Sequence, residues 1–169
     1  MIDIQEIKQL SSNPKLIEFA EFVISEAGDR NFPDYKKIDL MEIARLVSNI
    51  WVYDFRDGVS DGLLFHFSGT NVDEQYQMNV TGRRLEDLYN GEDKEELIKG
   101  NYHQVYLQKR VGYTRRNVAY KLLKSGERIT HVENIMFPCS ADDENIDFGL
   151  GYVEYGFSGV SVVNTYMLL

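Results

Sequence analysis

Residues 50–68 read IWVYDFRDGVSDGLLFHFS, and this stretch decides how the rest of the chain is interpreted. Its beginning, IWVYDF, is dense in β-branched and aromatic residues, which favour strands, and its end, LLFHFS, alternates as a strand does. Between them, DGVSDG has the composition of a turn. Two strands joined by a glycine-rich turn predict a β-hairpin, in which Leu63, Phe65 and Phe67 share one face of the second strand.

Short helices and then three more strands are predicted after this hairpin. Apolar residues recur at helical spacing up to about Arg110. Alternation then predicts strands over 114–124 and 127–137, joined by the two-residue turn Ser125-Gly126. A fifth strand is predicted over 147–155.

Two helices are predicted before the hairpin. An asparagine followed by a proline at 13–14 is typical of a helix start, and Gly28 is typical of its end. The second helix begins at the capping residue Asp39 and reaches about Asn49. Phe22 projects within the polar arc of the first helix, which indicates either a tolerated surface ring or a contact with a second chain.

The predicted order is two helices, two strands, several short helices and three strands. Runs of strands and helices alternate only once, which indicates an α+β fold with an antiparallel sheet and not a parallel βαβ fold. We expect an N-terminal helical extension over 1–49 that packs on a domain over 50–156, followed by a C-terminal tail over 157–169.

Composition sets the class of protein. A chain of 169 residues with 43% hydrophobic and 27% charged residues is expected to form one globular domain. The net charge of -9 disfavours nucleic acid and anionic membranes as partners. One cysteine and the absence of a signal-like or membrane-spanning run predict a cytoplasmic protein.

Three short motifs carry a resemblance to a known family. FHFSGT spans 65–70, Thr-Gly-Arg spans 81–83, and Met-Phe-Pro spans 136–138. Together with the order of elements, they resemble the PAS superfamily, in particular a group of small standalone proteobacterial PAS-like proteins. One departure is the pair Tyr76-Gln77, which stands where such proteins often have a glycine after an aromatic residue.

The resemblance implies a curved five-stranded antiparallel sheet with helices on one face, enclosing a pocket for a small molecule. It also implies that any output lies in a separate protein. We expect a non-enzymatic sensory or regulatory module with an unknown ligand. Its candidate pocket residues are mostly aromatic: Trp51, Tyr53, Phe65, Phe67, Tyr76, Leu85, Tyr102, His103, Tyr106 and Tyr120.

No particular cofactor or metal is indicated. Cys139 lies outside the helix motif of flavin-bonding PAS domains, and the position used for haem falls on Leu97, with His103 six residues further. His131 and Glu133 share a strand face, but two ligands do not make a metal site. The acidic turn at 142–147 lacks the glycine and the final glutamate of a calcium loop. No catalytic residues are assigned.

Positive charge is concentrated in one stretch. Residues 109–128 contain seven basic residues and one acidic residue. This indicates either a solvated strand pair or a patch for an anionic ligand or an acidic partner. The candidate patch residues are Arg83, Arg84, Arg110, Arg115 and Arg116.

Two other functions are also compatible with the sequence. One is a ligand-free interaction or dimerisation adaptor whose interior is filled by rings, and the other is a small-molecule enzyme with a cone-shaped pocket.

Glycines at 149 and 151 leave one side of the fifth predicted strand bare, which brings backbone or ligand close. A homodimer is expected from Phe22 and from the apolar segment 160–169.

Overall fold

The computed structural model describes most of the chain. Backbone is described for residues 2–88, 94–122, 128–157 and 159–169, and within these the side chains of 94–100, 119–122 and 128 are excluded.

Six strands and four α-helices make up the described fold. The helices are α1 (Ile4–Leu10), α2 (Pro14–Ala27), α3 (Thr70–Tyr76) and α4 (Lys94–Gln108), and 3-10 segments cover Tyr35–Lys37, Leu40–Asn49 and Leu85–Leu88. The strands are β1 (Ile50–Asp54), β2 (Leu64–Ser68), β3 (Gly112–Leu122), β4 (Arg128–Cys139), β5 (Phe148–Gly156) and β6 (Thr165–Leu168).

The strands form one sheet in the order β2-β1-β5-β4-β3-β6, and all neighbouring pairs are antiparallel. The predicted α+β class and its five antiparallel strands are confirmed. The sixth strand comes from the segment predicted as a tail, where Thr165–Leu168 pairs with the start of β3. Its four residues are too few for a clear alternation, but the free edge of β3 supplies backbone partners.

Helix α2 has the predicted ends. The side chain of Asn13 accepts hydrogen bonds from the backbone N–H groups of Lys15 and Leu16, and Gly28 ends the helix with φ of 56°. The other N-terminal elements differ from the prediction. Helix α1 was not predicted from the sequence. The second predicted helix, after Asp39, is a 3-10 helix that is kinked at Ile43.

Both faces of the sheet are covered. On one face, helices α1 and α2 pack against the strands in what we call the N-terminal core, which includes Ile7, Phe19, Val52, Tyr113 and Tyr152. On the other face, α3 and α4 pack in the aromatic core, which includes Trp51, Tyr53, Phe55, Phe65 and Leu85. The helices after β2 therefore lie on one face, and the N-terminal extension occupies the opposite one.

Phe22 is half-buried and packs against the N-terminal core of its own chain. This packing accounts for a phenylalanine within the polar arc of the helix. Phe22 therefore no longer supports contact with a second chain.

A β-bulge separates two residues that were predicted to share a face. Tyr53 pairs with Phe65, but the preceding residue Val52 pairs with Phe67, so His66 is the extra residue on β2. Phe65 therefore lies in the aromatic core, whereas Phe67 packs against the N-terminal core. The expectation that Phe67 lines the same pocket as Phe65 is wrong, because the bulge reverses the alternation.

Candidate functional site

A small half-open cavity is lined by residues of the aromatic core. Its volume is about 40 Å³, and we call it the inner cavity. Its wall comes from five strands and two helices, and consists of Trp51, Tyr53, Phe65, Val72, Gln75, Tyr76, Tyr102, Arg116, Val132, Asn134, Val153 and Tyr155.

Strand alternation places most of this wall. Val132 and Asn134 on β4 are two residues apart, as are Val153 and Tyr155 on β5, so each pair faces the same side. Helix α3 contributes Val72, Gln75 and Tyr76 to the wall, and α4 contributes Tyr102.

Aromatic rings fill most of the space beneath α3 and α4. The ring centroids of Tyr53 and Phe65 are 4.7 Å apart, and those of Tyr53 and Tyr102 are 5.3 Å apart. Trp51 lies 5.9 Å from Tyr102, and Phe65 lies 6.1 Å from Tyr76. At these separations, edge-to-face and tilted pairs add to the energy of burial.

Gly151 makes room for the Trp51 indole. A Cβ atom at position 151 would stand 2.4 Å from Cε2 and Cζ2 of Trp51, and one at Gly149 would stand 2.7 Å from the Phe55 ring. The bare side predicted for the strand that carries Gly149 and Gly151, which is β5, is therefore present. Rings from the neighbouring strand occupy it.

Two polar side chains of this wall, those of Trp51 and Asn134, have no hydrogen-bond partner among the described residues. The indole Nε1 of Trp51 is buried and has no hydrogen-bond partner among the described residues, although the whole residue is only 4% exposed. Asn134 is 5% exposed, and the structure shows no hydrogen bond from its side-chain amide to any described residue. The half-buried Arg116 adds a positive charge to the same wall.

A network of polar contacts holds α3 against the end of β2. The hydroxyl of Ser68 donates to Oδ1 of Asp73 at 2.6 Å, and the same carboxylate oxygen accepts the backbone N–H of Val80 at 3.0 Å. The hydroxyls of Ser68 and Thr81 lie 3.0 Å apart. These contacts connect the end of β2 to both ends of the α3 region.

The Thr-Gly-Arg motif runs beside the free edge of β2. Gly82 donates its N–H to the Phe65 carbonyl at 2.7 Å, and Phe65 donates to the Arg83 carbonyl at 2.9 Å. Gly82 has φ of 80°, a conformation that favours glycine over other residues. The motif therefore fastens the segment after α3 to the sheet, and none of its three residues lines the inner cavity.

Half of the predicted pocket residues line the inner cavity, namely Trp51, Tyr53, Phe65, Tyr76 and Tyr102. Leu85 and Tyr106 belong to the aromatic core without lining the cavity, and His103 lies on α4 outside the wall. The side chain of Tyr120 lies outside the described residues.

Sequence reasoning missed the contribution of β4 and β5 to this wall. Val132, Asn134, Val153 and Tyr155 were not predicted, although their spacing of two residues was a usable signal. Arg116 was assigned to a surface patch, yet it shares a strand face with Val118 at the same spacing.

The five arginines of the predicted patch are not brought together. Arg115 is opposite Glu133 in the β3–β4 register, on the face of the N-terminal core, whereas Arg116 lines the inner cavity on the other face. Arg83 and Arg84 adjoin β2, which three strands separate from β3. The reason is that neighbouring residues of a strand point to opposite faces.

The other candidate residues lie away from the inner cavity. Cys139 is fully buried in the N-terminal core, and burial raises the pKa of its thiol well above the ordinary value. The carboxylate of Asp142 accepts hydrogen bonds from Asn145, Glu144 and Ser140, which lower its pKa and close the acidic turn on itself. Among the described residues, no group of three or more acidic, histidine or cysteine side chains is placed to hold a metal ion.

Comparison with known proteins supports the fold. A solved structure of VqmA bound to DPO matches with a TM-score of 0.50 and 9% identity, over 71% of this chain and 58% of that chain. The fold is α+β and PAS-like. The chain spans less than two thirds of the VqmA chain, and this likeness concerns the fold alone.

A second solved structure, of the Vibrio cholerae VqmA dimer in the absence of target DNA, matches with a TM-score of 0.45 and 10% identity. It covers 70% of this chain and 52% of that one. No protein-family model and no curated protein sequence matches the chain. Within the described residues, no helix has the length and apolar character needed to cross a membrane.

Proposed function

We propose that this chain is a PAS-like sensory or regulatory module that binds a small molecule in the inner cavity and signals through a separate partner protein. The observation that carries the proposal is the buried indole N–H of Trp51, which has no hydrogen-bond partner among the described residues and lies in a wall of aromatic rings. Leaving a buried donor unpaired costs about 1–3 kcal/mol. A ligand with a hydrogen-bond acceptor would recover that free energy.

The wall suggests the chemistry of the ligand. Rings of Tyr53, Phe65 and Tyr102 favour a flat apolar body, while Trp51 and Asn134 supply polar contacts that would orient it. Binding sites for drug-sized ligands have volumes of about 300–1,000 Å³. Because the inner cavity holds about 40 Å³, we expect α3 to move outward when the ligand binds. Such a movement would be the signal.

Native mass spectrometry of freshly purified protein tests the proposal directly. We expect a bound small molecule that is absent from Trp51→Phe and Asn134→Leu but present in Tyr106→Phe, a ring change in the aromatic core outside the cavity wall. Adding the identified molecule at a hundredfold excess over Kd should stabilise the protein by about 2.7 kcal/mol. A clean apo mass with three indistinguishable variants would contradict the proposal.

A second candidate function is a ligand-free interaction adaptor. The small volume of the inner cavity favours it, since rings already occupy most of the interior. Val160 and Val163 after β5 are 59% and 77% exposed, which adds apolar surface for a partner. An adaptor should stay apo and capture a partner protein, and Val163→Asp should abolish the capture without changing the melting temperature.

Other parts of the proposal rest on the sequence. They are the homodimer, the non-enzymatic role, the cytoplasmic location, the absence of a nucleic-acid partner, and the division into 1–49, 50–156 and 157–169.

The molar mass measured by light scattering at micromolar concentration tests the homodimer, and a monomeric value would exclude it. A nucleic-acid titration at low salt tests the absence of a nucleic-acid partner, since electrostatic binding is strongest there.

A further inference from the structure

A second and larger cavity lies on the opposite side of the sheet. It is an open cleft of about 510 Å³ between the N-terminal helices and the strand ends of β3 and β4, and we call it the outer cleft. Val23 and Ile24 of α2 line one wall, and Val111 and Phe137 line the other. Val23, Val111 and Phe137 belong to the N-terminal core, and no residue lines both cavities.

Two cations stand at the rim of this apolar cleft. Lys109 and Arg110 are exposed, and both line the cleft. The Lys109 ammonium donates to the Glu144 carbonyl at 2.5 Å, and Nε of Arg110 donates to the main-chain oxygen of Leu169 at 3.3 Å. The peptide carbonyl of Glu144 satisfies a hydrogen bond without neutralising the charge of Lys109.

The positive charge at the rim is not compensated by an ion pair in the described part of the chain. Every ion pair found there involves other residues. Glu6 on α1 also lines the cleft, but it is exposed and forms no ion pair with either cation. The two exposed cations and the half-buried apolar side chain of Ile24 therefore line the same cleft.

We propose that the outer cleft binds a small amphipathic anion, with an apolar tail against the half-buried side chains of Ile2, Ile24 and Phe32 and a carboxylate head near Lys109 and Arg110. The apolar wall supplies affinity by burying the tail. The cations select the charged head. The volume of the outer cleft lies within the range of about 300–1,000 Å³ that small-molecule sites have, and a medium-chain carboxylic acid fits that space.

Isothermal titration calorimetry of the full chain tests this site with three probes: sodium octanoate, sodium decanoate and 1-octanol. We expect octanoate to bind about fivefold to tenfold tighter than 1-octanol, because each exposed ion pair contributes a factor of a few. Decanoate should bind about fifteenfold tighter than octanoate, since each buried methylene contributes about a factor of four.

Charge variants test the head group. Lys109→Gln/Arg110→Gln should bring octanoate affinity down to that of 1-octanol and leave 1-octanol binding unchanged. The matched control Lys36→Gln/Arg83→Gln removes the same charge from exposed residues outside the cleft, and should change neither. Equal affinities of octanoate and 1-octanol for the wild type would overturn the proposal.

A wall variant tests the location. Ile24→Trp places a larger side chain in the cleft from a half-buried position and should weaken both octanoate and 1-octanol at least tenfold. Trp51→Phe, which alters the inner cavity, should leave both affinities unchanged. Undiminished binding by Ile24→Trp, or loss of binding in Trp51→Phe, would place the probes elsewhere and reject the outer cleft as the site. Unchanged far-UV circular dichroism confirms folding of each variant.

Discussion

Trp51 is the one tryptophan of the chain, and its indole lies where a side chain at position 151 would stand. We expect Gly151→Ala to lower the free energy of unfolding by about 1–3 kcal/mol, because the added methyl group meets a close-packed ring. Urea unfolding followed by circular dichroism measures the loss. In Trp51→Phe/Gly151→Ala the smaller ring should make the combined effect less than additive. Strict additivity of the two changes would show that the indole is not the group displaced.

Tyr113 joins the sheet to the end of α1. Its side chain is fully buried, and its hydroxyl donates to Oε1 of Glu133 at 2.6 Å and lies 3.2 Å from the Leu10 carbonyl oxygen. Tyr113→Phe should lower the free energy of unfolding by about 1–3 kcal/mol, since it removes a hydrogen bond to a half-buried carboxylate. Tyr106→Phe serves as control, because the structure shows no hydrogen bond from that hydroxyl to described residues. Equal stabilities of the two variants would contradict this role.

The same hydroxyl predicts how stability depends on alkaline pH. Burial, and then the hydrogen bond with Glu133, raise the pKa of Tyr113 well above 10. Above pH 10, the unfolded chain releases this proton while the folded chain keeps it, so the free energy of unfolding falls as pH rises. We expect a shallower decline between pH 10 and 11 in Tyr113→Phe, measured by urea unfolding at each pH. An unchanged slope would mean that the hydroxyl titrates alike in both states.

At the scale of elements, α2 anchors the N-terminal extension to the sheet. It buries Leu16, Phe19 and Val23, and its first turn is capped by Asn13. Asn13→Ala should lower the free energy of unfolding by about 1 kcal/mol, whereas Asn13→Ser should retain most of the stability because serine caps helices as well. Thermal unfolding of the three proteins measures the difference. A serine variant as unstable as the alanine variant would show that the cap does not provide the effect.

At the scale of the whole molecule, one sheet carries two cores. The N-terminal core contains Phe19 and the aromatic core contains Trp51, and β1 contributes side chains to both. We therefore expect a single cooperative transition, in which Trp51 fluorescence and far-UV circular dichroism change at the same urea concentration. Phe19→Ala should lower the free energy of unfolding by about 3–5 kcal/mol. The urea midpoint should fall accordingly, and the two probes should still change together. Helix loss before any change in Trp51 fluorescence would show that the two faces unfold separately.

Local patterns in the sequence determined the elements that depend on neighbouring residues. Examples are the helix cap at Asn13, the helix end at Gly28, and the shared strand face of Trp51 and Tyr53. They follow from short-range sterics and hydrogen bonding, which act within a few residues. For the same reason, the antiparallel α+β class and five of the twelve residues that line the inner cavity could be predicted.

Tertiary structure decided the features that depend on distant segments. The bulge at His66 moved Phe67 to the other core, and the strand order separated Arg83 from Arg116. The outer cleft exists because α2 packs across the ends of β3 and β4, which are more than 80 residues away in the chain. Register, strand order and packing between layers are set by contacts between segments that are far apart in sequence, so no local pattern contains them.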